Sequence, residues 1–244
     1  MGRLSWLPGF LLVASVPLFL IAASVTYAIN DAGLYEGGFQ RYQVSDITGI
    51  TGPDLVQAGA ELRQYFNSRR EPLSVRTRIF GVDQELFNQR EVLHMADVKR
   101  LIWGVYALGF ITGAYLLIFT VAGLVWRPRV YAGRLAHYYL RGGILTLALI
   151  LAVGLFALVG FEALFLLFHQ ISFRNDLWQL NPYTDYLLLM FPTGFWFDAT
   201  LRVATITIGG AMIAALGSVS YLWWQRRGVE GGAPRQPASM DEAR

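Results

Sequence analysis

The chain alternates long apolar runs with polar segments, and the lengths of those runs set the first expectation. A helix that crosses a bilayer needs about 20 mostly apolar residues. Residues 7–28, 100–126, 142–168 and 203–224 meet that requirement, separated by polar segments at 30–99, 127–141 and 169–202. The pattern predicts an all-α membrane protein with four transmembrane helices. The run at 7–28 is longer than the roughly 7–15 residue core of a signal peptide, and three further spans follow it. It is therefore read as an uncleaved first helix. The final segment, 225–244, is rich in Gly, Pro and charge and is expected to be a disordered tail.

The 30–99 segment carries finer periodicities. Pro53 to Asn67 suits a helix with proline in its first turn, and Leu73 to Ile79 alternates as a short strand does. From about Asp83 a helical pattern resumes and is expected to run into the second span. On it Phe87, Glu91, His94, Val98 and Leu101 recur at helical spacing and form one stripe. These elements predict a small α/β cap between helices 1 and 2, too small to build a large core alone. In the 169–202 segment, the run from Tyr186 to Phe197 is apolar but too short to span, which suits an interfacial or re-entrant element at the outer surface.

Charge turns this layout into a topology. Only 15% of the 244 residues are charged and 55% are hydrophobic, against about 25% charged in an ordinary soluble domain. The net charge of +3 does not need nucleic acid to explain it, because the basic residues are placed as orienting signals. Arg127, Arg129, Arg134 and Arg141 occupy the short 127–141 segment with no acid, Arg226 and Arg227 follow the fourth span, and Arg3 precedes the first. Short-loop arginine marks the cytoplasmic side, so both termini and the basic loop are expected there. The cap, with ten of the seventeen acids, is then extracytoplasmic. The implied location is a bacterial cytoplasmic membrane crossed four times. The seven tryptophans fall near span ends, where amphipathic rings prefer the interface.

Cysteine is absent, which removes disulfides, thiolate metal sites and cysteine nucleophiles. No G-x-S-x-G, phosphate-binding loop, G-x-G-x-x-G or His-x-x-x-His pattern occurs. What remains is a set of polar residues that the topology gathers. His94 and His169 lie at the outer ends of the second and third spans, hence at one face of the membrane, and histidine is the side chain suited to proton transfer near neutral pH. Glu91 and Asp97, each three residues from His94, could orient its ring. Glu162 lies inside the third span, where an acid costs about 2.5–3.5 kcal/mol to insert. It precedes His169 by two helical turns, about 10 Å along the axis.

Two blocks carry a family resemblance. The first runs from Glu91 through His94, Asp97 and Lys99 to Leu101; the second comprises the run from Phe168 through His169 and Gln170 to Phe173, then Trp178, Asn181, Pro182, Thr184, Asp185, Phe191, Pro192, Phe195, Trp196 and Asp198. With the four-helix layout they resemble the bacterial integral membrane family DUF1461, which includes lipoprotein intramolecular transacylases. The resemblance implies an acyltransferase that moves the sn-2 acyl chain of a diacylglyceryl lipoprotein to the amine of its own N-terminal cysteine. It implies His94 and His169 as the catalytic pair; Glu91 or Asp97 would then orient His94, and Lys99 would engage a carbonyl or headgroup oxygen. Asp185 of the second block and the intramembrane Glu162 complete the candidate orienting or substrate-binding residues. It implies no cofactor and no metal, with membrane lipids and diacylglyceryl lipoproteins as partners. A non-catalytic accessory or assembly protein on the same scaffold, and a metal-dependent hydrolase, are the competing expectations. The sequence assigns neither the base of the pair nor an oligomeric state.

Overall fold

A computed structural model describes residues 7–230; of the tail expected at 225–244, residues 225–230 instead continue the last helix, and 231–244 lie outside the described residues. Four helices are long and apolar enough to cross a membrane: α1 (Leu7–Asn30), α5 (Gln89–Trp126), α6 (Pro128–Ser172) and α8 (Thr193–Glu230). Between α1 and α5 lie α2 (Ala32–Arg41), α3 (Val44–Thr48), α4 (Gly52–Phe66) and the hairpin β1 (Arg76–Ile79) and β2 (Val82–Glu85). The short α7 (Tyr186–Met190) precedes α8.

Within the bundle α1 packs against α5, α6 and α8. Lipid tails are as apolar as leucine, so helices associate here through close packing and interhelical hydrogen bonds. Both devices are present. The Thr207 hydroxyl donates to Ser24 Oγ at 2.9 Å, joining α8 to α1 in a buried setting. Gly142 lies against Val16, and Gly143 lies against the Ala211 carbonyl and Ala215. Pro17 removes the amide that would bond the Val13 carbonyl, and Gly142 packs beside that freed oxygen.

The basic segment expected as a loop is helical from Pro128 onward, so only Arg127 separates α5 from α6. Proline in the first turn, where an amide would have no intrahelical partner, suits that start. The cap also departs from expectation at Asp83, which lies in β2 rather than in a resuming helix. Phe80 (φ 49°) and Gly81 (φ 82°) make the two-residue turn, the geometry that matches the twist of a hairpin. The Phe80 ring folds over Gly49, and its amide donates to the Gly49 carbonyl at 2.9 Å. Helix α5 then starts at Asn88, whose side chain accepts from the Arg90 and Glu91 amides, while the Glu91 carboxyl accepts from the Asn88 amide. This reciprocal capping box fixes the helix start.

The cap's core is shared with the bundle. Phe39, Leu55, Leu62, Phe66, Val75 and Ile79 pack with Met95 and Ile102 of α5 and with Leu187, Met190, Phe191 and Phe195. The apolar element around α7 was expected at the outer surface. Its Met190 is fully buried, because the cap's core needs those apolar side chains to close it.

Candidate functional site

His94 lies in the second turn of α5 and is 5% exposed. His169 lies in the last turn of α6. Their ring centroids are 6.2 Å apart and the rings are inclined by 30°. Phe173, one residue past the end of α6, sets its ring edge-on to His94 at 5.1 Å and tilted against His169 at 5.6 Å. Phe165, Phe168 and Trp178 complete the wall around His169, at centroid distances of 4.4, 5.3 and 5.3 Å. Two imidazoles thus share an aromatic recess at the ends of two membrane helices.

The recess leaves the two rings in different states. His169 Nδ1 lies 2.8 Å from the Phe165 carbonyl. A carbonyl only accepts, so Nδ1 carries the proton and the neutral ring keeps a lone pair on Nε2. His94 Nδ1 is buried with no protein partner.

A latch of polar contacts holds the segment after α6 across the start of α5. Glu91 is 1% exposed, and its Oε1 accepts from the Leu187 amide at 2.7 Å while Oε2 serves the capping box. Asn88 donates to Asp185 Oδ1 at 3.0 Å, and Asp185 Oδ2 accepts from the Asn181 amide at 2.7 Å. Arg90 donates to the Asp176 carbonyl at 2.5 Å, and Asn175 donates to Asp97 Oδ2 at 2.8 Å. Asp97 Oδ1 also pairs with Arg100 at 2.8 Å. Neither Glu91 nor Asp97 bonds His94. Both carboxyls, expected as orienting acids, are occupied elsewhere: Glu91 by the loop and the helix start, Asp97 by the loop and Arg100.

Lys99 is buried on another face of α5. Its ammonium donates to the Arg70 carbonyl at 2.6 Å, pairs with Glu71 at 3.2 Å and sits 4.0 Å from the Tyr65 ring centre. The Tyr65 hydroxyl donates to Glu71 at 2.8 Å. Burial and then the Glu71 carboxylate push the Tyr65 phenol upward, so it stays a donor. Lys99 therefore ties the 68–72 turn of the cap to α5, away from the histidine pair.

Glu162 is exposed beside a break in α6, where Gly160 has φ −158° and ψ 64°. It lines a groove of about 420 Å³ with Thr193 and Gly194, the first residues of α8. Glu162 therefore stands at the level where α8 begins rather than in mid-span. Among the described residues no group of three His, Asp or Glu side chains converges as a metal site would require. Sequence reasoning held Phe173 only as the end of the opening run of the second block and missed the latch donors Asn88, Arg90 and Asn175. Trp178 entered only as an interfacial ring and as a member of the second block, without a place at the histidines, and no spacing rule ties a loop residue to a helix end 80 positions away.

Comparison with known proteins adds an independent line. Two solved structures of the membrane integral lipoprotein intramolecular transacylase Lit from Bacillus cereus share this fold. One superposes with a TM-score of 0.78 at 20% identity, covering 93% of this chain and all of that one. The other, carrying a histidine-to-arginine substitution, gives 0.74 at 20% identity over 93% of this chain and 96% of that chain. An uncharacterized protein of Aquifex aeolicus (strain VF5) is 32% identical over 121 residues, 50% of this chain and 51% of that protein. The chain thus spans about half the length of that relative in the match. The family model of the lipoprotein intramolecular transacylase Lit matches residues 10–196. With four apolar helices and this match, the chain is a multi-pass membrane protein that belongs to the Lit family.

Proposed function

We propose that this chain is an intramolecular transacylase acting on diacylglyceryl lipoproteins. The sn-2 acyl chain moves to the α-amine of the substrate's own N-terminal cysteine and leaves a lyso-form lipoprotein. The observation that carries this reading is the pair His94 and His169, with ring centroids 6.2 Å apart in an aromatic recess.

Nucleophile and ester belong to one molecule, so no enzyme nucleophile is needed. Holding them in register is worth effective molarities of up to about 10⁵–10⁸ M. The α-ammonium first loses a proton to water. The amine then attacks the sn-2 ester carbonyl, and Nε2 of His169 takes the remaining ammonium-like proton as the C–N bond forms. The ester C–O bond breaks and the sn-2 oxygen receives that proton back. His169 suits the base role because the Phe165 carbonyl holds its proton on Nδ1. His94 suits the donor role toward the oxyanion: with Nδ1 buried and unpartnered, its proton is best placed on Nε2, where it can meet developing charge. Glu91, Asp97, Lys99 and Asp185 are positioning residues that hold the loop and the cap around the pair. The reaction uses neither cofactor nor metal.

The proposed setting is the bacterial cytoplasmic membrane, with both termini and the α5–α6 junction on the cytoplasmic side. The arginines at 127–141 support that orientation. A chain without cysteine allows a direct check, since Glu61→Cys and Arg134→Cys can each be labelled without background. Label that does not cross membranes should reach Glu61→Cys and not Arg134→Cys in intact cells.

The activity is tested by expressing the protein in a bacterium that makes diacyl lipoproteins and reading lipoprotein N-termini by mass spectrometry. Lyso-form peptides with an N-acyl chain are expected, and His94→Ala or His169→Ala should abolish them. Unchanged diacyl peptides alongside well-expressed protein would overturn the reading in favour of a non-catalytic membrane protein.

A further inference from the structure

Glu162 has no part in the acid–base scheme above, yet its surroundings are unusual for a membrane helix. It makes no hydrogen bond or ion pair with any described residue. Two positions earlier, Gly160 interrupts the helical ladder of α6. Backbone freed in this way inside an apolar span is tolerated only where protein or a polar cavity receives it. A groove of about 420 Å³ lies there. Val159, Phe161 and Phe197 supply apolar walls, the Thr193 hydroxyl and the Glu162 carboxyl supply polar groups, and no basic side chain lines it.

The groove is connected to the histidine pair by rings. Phe161 stacks on Phe165 at 5.8 Å, and Phe165 meets His169 at 4.4 Å. Phe197 closes the other side against Phe161 at 5.3 Å. Seven residues of helix place Glu162 about 10 Å from His169 along the axis. That is too far for direct proton transfer and close enough for one amphiphile to move from one place to the other.

We infer that this groove is an entry site that binds the N-terminal ammonium of the diacylglyceryl lipopeptide through Glu162 before the amine advances to the histidines. The inference rests on the transacylase reading for the identity of its ligand. A carboxyl without a protein partner in this groove complements a primary ammonium, while the apolar walls suit the adjoining acyl chains. Charge-assisted hydrogen bonds are about twice as strong as neutral ones. The product carries an amide in place of the ammonium and loses this contact, so the same site favours substrate over product.

The test uses full-length protein in detergent and an ether-linked dialkylglyceryl cysteinyl peptide, which cannot transfer its chains, with either a free or an acetylated α-amine. Dissociation constants are read by thermophoresis. The free amine should bind about tenfold or more tightly than the acetylated form, as expected for one charge-assisted contact. That preference should vanish in Glu162→Gln and persist in Glu162→Asp. A preference that survives Glu162→Gln in a variant with unchanged melting temperature would overturn the inference. So would equal binding of the two peptides to the unsubstituted protein, or displacement of the free-amine peptide by an equal concentration of ether-linked phosphatidylethanolamine. The transacylase reading fails separately: an ester-linked lipopeptide left unconverted while the Glu162-dependent preference persists sinks the reaction and leaves the ammonium site standing.

Discussion

The Glu91 carboxyl and the Leu187 amide meet at 2.7 Å across 96 positions of sequence, one helical turn before His94. This contact closes the segment after α6 onto the start of α5, and the other carboxyl oxygen caps the same helix. A buried acid with both oxygens used by backbone amides is a brace between two elements rather than a partner for the imidazole.

Glu91→Ala should therefore act on the loop and the helix start together. It orphans two backbone donors, each costing about 1–3 kcal/mol when left without an acceptor. The melting temperature should fall, and proteolysis should open the 173–185 segment first. Glu91→Gln keeps one acceptor oxygen but turns an NH₂ group toward an amide, so an intermediate loss is expected. Limited proteolysis of the two variants in detergent checks both statements.

Phe173 sets its ring against both histidine rings, with His94 at 5.1 Å and His169 at 5.6 Å. Phe173→Ala removes a wall of the recess and should destabilise by about 3–5 kcal/mol, as large-to-small aromatic substitutions do. If the pair is catalytic, kcat should fall more than KM rises, because the rings lose their mutual alignment while the membrane-facing binding surface is unchanged. Phe173→Leu should restore stability before it restores rate. Thermal unfolding and lipopeptide kinetics on the same preparations separate these effects.

Asp54 ties α4 to the hairpin by accepting from Arg78 at 3.0 Å and from the Thr51 hydroxyl at 2.8 Å. Hydrogen bonding from Arg78, and then from Thr51, holds its carboxyl below the ordinary range. A group depressed in the folded state lends stability above its unfolded value, about 3.9 for aspartate, and loses it as pH falls through the lower folded value. Protection of the amides of residues 76–85, after correction for the intrinsic slowing of exchange in acid, should fall between neutral pH and pH 3. Asp54→Asn should already exchange faster at neutral pH and show a smaller acid effect. Hydrogen–deuterium exchange with mass detection at the two pH values is the measurement.

The large features were legible because they rest on length and charge. Twenty apolar residues specify a span whatever its neighbours, and the same periodicity that marks the ends of α5 and α6 brings His94 and His169 to one level. The cap's hairpin was not legible at Asp83, since a positive φ at Phe80 depends on the ring's contact with Gly49 rather than on its own propensity. The roles of Glu91 and Asp97 were hidden for a related reason. Helical spacing shows that a carboxyl lies near a histidine, but only the folded loop shows that Leu187 and Asn175 claim those oxygens first.

The bundle offers its own test at two adjacent glycines. A methyl group at Gly143 would lie 2.9 Å from the Ala211 carbonyl and 3.2 Å from the Ala215 methyl. At Gly142 it would lie 2.7 Å from Val16 and 3.2 Å from the Val13 carbonyl. Backbone cannot step aside as a flexible side chain can, so Gly143→Ala must push α8 away from α6 and weaken the Thr207–Ser24 contact as well. Gly154 stands in the same helix with nothing within 4 Å of an added methyl. Gly154→Ala should be neutral or slightly stabilising, since alanine is favoured over glycine in a helix by about 1 kcal/mol. Gly143→Ala should lower the melting temperature despite the same gain in propensity. If both variants melt alike in detergent, close packing of α6 on α8 does not hold the bundle together, and the Thr207–Ser24 hydrogen bond becomes the contact to remove next.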